Sequence, residues 1–315
     1  METVASWRQY LDSRTTTDDV ATHHKEQKLA IRLPNWLGDT LMAYPLLNAL
    51  SKAGVDFTCF GHAWASDIFS ATDFSVVADA RIRSKLWLAR QYRSGAFSRV
   101  LLCPSSWSAV IPAMLARLPA TGDHKLCTPR VLRPEGTHRV DQYFELGRNL
   151  LPPQTSPNRT DAFIPISPES EAAAERLLAE RTEGPFVAIC PYATNRHNGL
   201  NKEWPHWRDF IGGRSGTALL GLVAPEDKQR FEAEHPETAV ISTSLTVTAA
   251  IMRRAEHVVT NDSGAMHLAS FFGANVVGLM GITDHCLTQP WFGAYLTGQD
   301  EPWASLDDLA AHLSS

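Results

Sequence analysis

Twice along this chain short apolar runs rich in β-branched residues alternate with helical stretches, and that alternation limits the fold more than any other feature. In the first series LAIRL (29–33), 55–60 and 100–102 read as strands, with helices over 40–52, 63–70 and 107–117. The second series has helices over 169–181, 204–211, 225–234, 246–254 and 264–272. Its strands fall at 186–190, 217–223, 239–242, 257–260 and 275–279. Strands joined by crossover helices pair in parallel and are covered on both faces, so the pattern predicts an α/β protein with doubly wound sheets. Between the two series lies LPPQTSPNRTDAFIPISP (151–168), dense in Pro, Ser and Thr, which reads as an interdomain linker. The expected division is an N-terminal extension over 1–28 with a short helix at 5–11, a first domain over 29–160, and a second over 161–315. The second is closed by a helix at 303–313 that packs back across the domains. Ligands of such sheets bind beyond the carboxyl ends of the strands, which directs attention to the loops after LAIRL, VAIC, ALLGLV and HVVT.

Each of those loops carries polar residues at a strand-to-helix turn. After LAIRL the chain reads PNWLGDTLMAYP, with Asn35, Gly38 and Asp39 where a helix is expected to begin near Asp39. A carboxylate there is either a helix cap or a reagent. After HVVT come Asn261, Asp262, Ser263 and Gly264 at the start of a helix that carries His267 in its first turn. Free backbone N–H groups and the helix dipole suit an anion at such a point, and the small residues let a phosphate approach; the plain alternative is that Asp262 or Ser263 caps the helix. After VAIC, the turn CPYATNRHNGLNKEWP offers Thr194, Asn195, Arg196 and Lys202 as phosphate-reading groups, or as solvated loop residues.

Several classes are disfavoured. There is no G-x-G-x-x-G after a strand, no G-x-x-x-x-G-K-[ST], no D-x-D, no H-E-x-x-H and no G-x-S-x-G around Ser263. Nicotinamide, P-loop and metal-dependent chemistry are therefore not indicated, and neither a metal site nor a cofactor is expected. Five scattered cysteines without a C-x-x-C pair read as free thiols in a reducing compartment. The polar N-terminus does not resemble a secretory signal, and no apolar run reaches the roughly 18–20 residues of a membrane span, so a cytoplasmic protein is expected. The formal net charge of −5 argues against nucleic acid as a partner. One segment runs against that balance: 81–122 holds seven Lys and Arg and no Asp or Glu, with Trp87, Tyr92 and Trp107 interleaved. It suits an anionic acceptor or anionic lipid headgroups, or is a solvated helix face over core aromatics.

Taken in order, RLPNWLGDTLMAYPLLNAL, THRVDQYFEL, ATNRHNGLNKEWP and NDSGAMHLASFFGANVVGLMGITD resemble the ADP-heptose:lipopolysaccharide heptosyltransferase family of inverting glycosyltransferases. The resemblance implies the GT-B fold, two Rossmann-like domains facing a central cleft, the first binding acceptor and the second the nucleotide sugar. It implies Asp39 as general base, with Asn35 and Gly38 on the acceptor side. It also implies donor contacts from Lys202, Thr194, Asp262, Ser263, Gly264 and His267, and an acidic residue near the ribose, for which Glu226 and Asp227 both fit. A base beside the acceptor and positive character at the leaving group are what metal-independent displacement of a nucleoside diphosphate needs. The partners implied are an ADP-sugar donor and an anionic glycan or glycolipid acceptor, with peripheral contact at the inner membrane. His285 and Cys286 stand where family members more often continue T-D-P, so the sugar is a heptose or a related sugar. A nucleotide-sugar epimerase of the same architecture and a non-catalytic nucleotide-sugar-binding protein remain as alternatives.

Overall fold

The computed structural model describes residues 28–157, 163–193, 199–213, 218–299 and 301–314. The expected helix at 5–11 lies outside them, as do Thr194, Asn195 and Arg196. In the first half, β1 (Leu29–Arg32) leads into α1 (Leu37–Met42) and α2 (Tyr44–Lys52), then β2 (Phe57–Gly61), the short α3 (Ala65–Ile68) and β3 (Ser75–Ala78). α4 (Lys85–Ser94), β4 (Arg99–Leu102), α5 (Trp107–Ala116), β5 (Ala120–Gly122) and α6 (Arg139–Leu146) complete it. The strands form one parallel sheet in the order β3-β2-β1-β4-β5.

The second half opens with α7 (Pro168–Ala179) and β6 (Phe186–Cys190). It continues through α8 (Trp207–Gly213), β7 (Ala218–Leu222), α9 (Lys228–Glu234), β8 (Ala239–Ile241), α10 (Leu245–Met252), β9 (His257–Asn261) and α11 (Gly264–Phe271). β10 (Val276–Leu279), the short α12 (His285–Thr288), β11 (Ala294–Leu296) and α13 (Leu306–Leu313) follow. Its sheet is also parallel, in the order β11-β10-β9-β6-β7-β8. Both sheets reverse direction of winding once, between β1 and β4 in the first and between β6 and β9 in the second, and each reversal opens a crevice at the carboxyl ends of its strands.

The expected alternation holds, with four corrections. The helix expected over 40–52 starts earlier, at Leu37, and is broken at Ala43, because Pro45 lacks an N–H and sits in the first turn of α2. β3 and α4 were not anticipated: SVVA is only partly buried and α4 is rich in Arg and Lys, so neither carries a strong apolar period. β5 and β11, three residues each, were also missed. The C-terminal helix does not bridge the halves in its core packing: Leu306, Leu309 and Leu313 join Trp204, Phe231 and Leu279 in the apolar cluster of the second sheet.

Candidate active site

A cavity of about 700 Å³ lies between the halves, lined from the first by residues after β1, β2 and β3 and from the second by residues after β6, β7 and β9. Asn35, Gly38, Asp39, Lys202, Glu226, Asp227, Asp262, Ser263, Gly264 and His267 all reach it. The structure therefore brings together every described residue that the sequence nominated. The volume is in the range of sites for nucleotide-sized ligands.

Asp39 is not a helix cap. α1 begins at Leu37 after Trp36, no side chain caps it, and Asp39 is its third residue. Its carboxylate is instead held by the Tyr143 hydroxyl of α6, which donates to Oδ1 at 2.9 Å. Burial, with the adjacent Asp39 charge, pushes the Tyr143 phenol well above its ordinary value, so it stays protonated and keeps donating. The Arg133 guanidinium lies 4.9 Å from the centre of the Tyr143 ring and bonds the carbonyl of Cys103 at the end of β4. One carboxylate oxygen of Asp39 is thus oriented by the protein, and a hydrogen bond of that kind fixes the rotamer a base needs.

The rest of the first wall is basic. Arg32 is buried at the end of β1 and donates to Asn35 Oδ1 at 2.7 Å and to the carbonyl of Leu33. Arg83 and Arg139 line the cavity beside a stacked His62–Trp64 pair whose ring centres are 5.8 Å apart. Burial first, then Arg32 and Arg83, lower the His62 basicity. Positive groups thus outnumber the single carboxylate of Asp39 on this wall.

In the second wall, Lys202 Nζ is 2.7 Å from Asp262 Oδ2, with side chains only 15% and 5% exposed. Thr283 Oγ1 donates to the same carboxylate oxygen at 2.5 Å. Asp262 is therefore the partner that aims Lys202, and a carboxylate so placed repels a phosphate unless the lysine stands between them. Ser263 is the helix cap: its side chain accepts from Ala265 N, at the start of α11. The loop bearing Lys202 is tied down from both sides. Asn261 Oδ1 accepts from Trp204 N at 2.8 Å and from Trp207 Nε1 at 2.9 Å, and its amide donates to the carbonyl of Pro191 at 2.7 Å, which links the ends of β6 and β9 at the crevice. Glu203 takes both terminal nitrogens of Arg230, at 3.1 and 3.2 Å.

The two walls meet at a pair of glycines. A Cβ on Gly38 would stand 2.6 Å from Cδ2 of His267, and one on Gly264 would stand 3.3 Å from Leu37. The N-terminal turns of α1 and α11 thus approach each other because both are bare at the contact. His267 is 4% exposed and its Nδ1 has no hydrogen-bond partner among the described residues. Burial lowers its pKa to about 4 despite nearby Asp262, so it is neutral. Asn35 and Gly38, expected on the acceptor side, both line the cavity, yet Asn35 holds Arg32 and Gly38 makes room for His267. Among the described residues no three His, Cys, Asp or Glu side chains gather as a metal-binding group.

Sequence reasoning did not assign roles to Tyr143, Asn261 or Thr283. Tyr143 is the tyrosine of THRVDQYFEL and Thr283 follows the helix–strand unit after Asp262, so the signal was present as motif membership. Their partners, 104 and 21 residues away, were not visible.

A family model described as glycosyltransferase family 9 (heptosyltransferase) matches residues 85–296. Lipooligosaccharide heptosyltransferase 2 of Haemophilus influenzae is 25% identical over 171 residues, 48% of this chain and 49% of that protein, so the match spans about half the length of the relative. The fold is similar to the solved structure of E. coli ADP-heptose lps heptosyltransferase II, with a TM-score of 0.72 at 20% identity over 91% of this chain and 99% of that one. A family 9 glycosyltransferase from Veillonella parvula gives a TM-score of 0.72 at 20% identity over 92% and 89%. E. coli heptosyltransferase WaaC with ADP gives 0.67 at 20% identity over 91% and 99%.

Proposed function

Because this chain belongs to glycosyltransferase family 9 (heptosyltransferase), and is therefore a glycosyltransferase of the GT-B fold, we propose that it moves a heptose or a closely related sugar from an ADP-sugar to a lipopolysaccharide-core or other anionic glycan acceptor. The observation that carries the reading is the opposition, across one cavity, of an oriented carboxylate and a lysine at a helix N-terminus: Asp39 on one wall and Lys202 with α11 on the other. The similar E. coli heptosyltransferase WaaC, solved with ADP, supports adenine as the base.

In this scheme the acceptor hydroxyl oxygen attacks the anomeric carbon while Asp39 takes its proton, and the bond from that carbon to the diphosphate oxygen breaks. The diphosphate leaves with the electron pair, toward Lys202 and the free N–H groups of α11, which stabilise the charge that develops there. Attack and departure on opposite faces invert the anomeric centre. Positive charge from Lys202 and the helix serves the role a metal would serve, so the reaction is proposed to be metal-independent. Asp262 positions Lys202, Ser263 caps α11 at Ala265 N, and Gly264 keeps the first helical position free of a side chain. Glu226, with Asp227 as its neighbour, is assigned to the ribose hydroxyls. Thr194 keeps the donor-binding role the family motif implies, and Asn195 and Arg196 are assigned beside it as phosphate-reading groups. The neutral imidazole of His267 walls the site between the helix termini. Arg83 and Arg139 are assigned to acidic groups of the acceptor. No helix among the described residues is long and apolar enough to cross a membrane; the protein is proposed to act in the cytoplasm, peripheral to the inner membrane.

Calorimetric titration with ADP, GDP and UDP, without and with magnesium, tests the donor half; tighter binding of ADP that magnesium does not improve is expected. Transfer from ADP-heptose to a core acceptor, measured by mass spectrometry, tests the rest. Loss of transfer in Asp39→Asn with ADP binding intact is the expected result, whereas unchanged transfer removes Asp39 as base.

A further inference from the structure

α5 has a surface that a solvated helix should not have. Its sequence, WSAVIPAMLA, contains no charged residue. One face, with Ala109, Val110, Ala113 and Ala116, is buried against Tyr92, Val100 and Leu102. The opposite face carries Trp107, Ile111, Met114 and Leu115 at helical spacing, with Trp107 53%, Met114 54% and Leu115 39% exposed. A surface helix normally turns polar residues outward, and an outward apolar stripe marks a surface meant to be covered.

The charge around the stripe says by what. Lys125 Nζ lies 5.2 Å from the centre of the Trp107 ring, Arg93 of α4 bonds the carbonyl of Leu115, and Arg117 ends the helix. The 81–122 segment that contains both helices holds seven of the chain's 29 Lys and Arg and none of its 34 Asp and Glu. An apolar stripe with a tryptophan at one end, rimmed by cations and free of carboxylates within its segment, is complementary to an anionic bilayer surface: side chains enter the acyl boundary while Lys and Arg stay at the headgroups. We propose that the outer face of α5, with its basic rim, docks the protein onto anionic phospholipid. Trp107 follows directly on the loop after β4, so α5 starts at the carboxyl edge of the sheet, the edge whose other loops line the cavity. Docking there brings the acceptor wall close to lipid. The inference extends the reading of a membrane-linked acceptor, but its test contains no acceptor and no donor, so the two fail separately.

The test is flotation of the full chain with vesicles of phosphatidylcholine alone and of phosphatidylcholine with phosphatidylglycerol. The protein should float with the anionic vesicles only and be released by added salt. Met114→Gln with Leu115→Gln, and separately Arg117→Asn with Lys125→Gln, should each weaken binding by roughly tenfold or more. Asparagine suits position 117 because Arg117 has φ of 59°, a left-handed conformation it tolerates. Unchanged melting temperature and circular dichroism in both variants separate lost docking from lost folding. The proposal is overturned if the chain floats with neither vesicle, or if both variants float as well as the parent. It is overturned too if light scattering finds a dimer that Met114→Gln with Leu115→Gln dissociates while no vesicle binding occurs, since the stripe is then a contact between copies.

Discussion

Tyr143 and Asp39 meet across 104 residues, and their hydrogen bond decides how the carboxylate proposed as base is presented. Tyr143→Phe removes the donor and leaves the ring under Arg133, so folding should persist while turnover falls about tenfold, the scale of a hydrogen bond to a charged group. The loss should fall on kcat, with ADP affinity unchanged, a split that mere loosening of α6 against the cavity would not produce. Asp39→Asn should cost about 100- to 10,000-fold in transfer, the usual contribution of a positioned base. His267 governs stability instead. Its folded pKa of about 4 lies below the ordinary 6.5, so the unfolded chain binds the proton more readily and stability is lost as pH falls from about 6.5 to 4. The loss is on the order of 3 kcal/mol, and denaturant unfolding at several pH values should show it shrink in His267→Gln.

Between α1 and α11 the packing rests on two bare positions, and they are not equivalent. A methyl on Gly38 would collide with the buried His267 ring at 2.6 Å, whereas one on Gly264 would meet the flexible end of Leu37 at 3.3 Å. Gly38→Ala should therefore destabilise by about 1–3 kcal/mol and Gly264→Ala by distinctly less, read from urea midpoints. Elements of this kind show what was legible in the sequence. β6 was found to the residue because FVAIC is a continuous apolar run that Pro191 terminates, and the strand-to-helix turns after β1, β6 and β9 carried their polar residues in plain view. β3 was not, since a half-exposed four-residue strand has little apolar pattern, and α4 was hidden by its charges. The role of Asp39 at its turn stayed open because cap and reagent occupy the same place in sequence; the observed start of α1 at Leu37 removes the cap, and the bond from Tyr143 shows what holds the carboxylate instead. Likewise Gly38 carried an expected contact with acceptor, while its neighbour is a helix of the other half.

At the scale of the whole molecule, the cavity exists only while the halves stay together, and among the described residues a small set of polar contacts spans them. His138 accepts from Val140 N through Nδ1, so its Nε2 carries the proton that reaches the carbonyl of Gln289 at 2.9 Å. Tyr44 donates to the carbonyl of Phe163 at 3.2 Å. The densest link is Asp67 of α3, whose carboxylate takes Leu245 N at 2.8 Å, Thr246 N at 3.3 Å and Thr246 Oγ1 at 2.6 Å. A side chain of the first half thus supplies a cap to α10 of the second, beside the cap from its own Ser244. Capping contributes about 1 kcal/mol, but here the same bonds also set the separation of two sheets. Asp67→Ala removes no side chain of the apolar clusters, the largest of which joins residues of both halves, so the chain should remain folded while the equilibrium between closed and open arrangements moves by several-fold. Small-angle scattering should report a larger radius of gyration, and the transfer assay a raised KM, because the proposed site takes donor on one wall and acceptor on the other. A raised KM with an unchanged radius would locate the effect in α10 alone, since Leu245, Thr248 and Met252 themselves line the cavity.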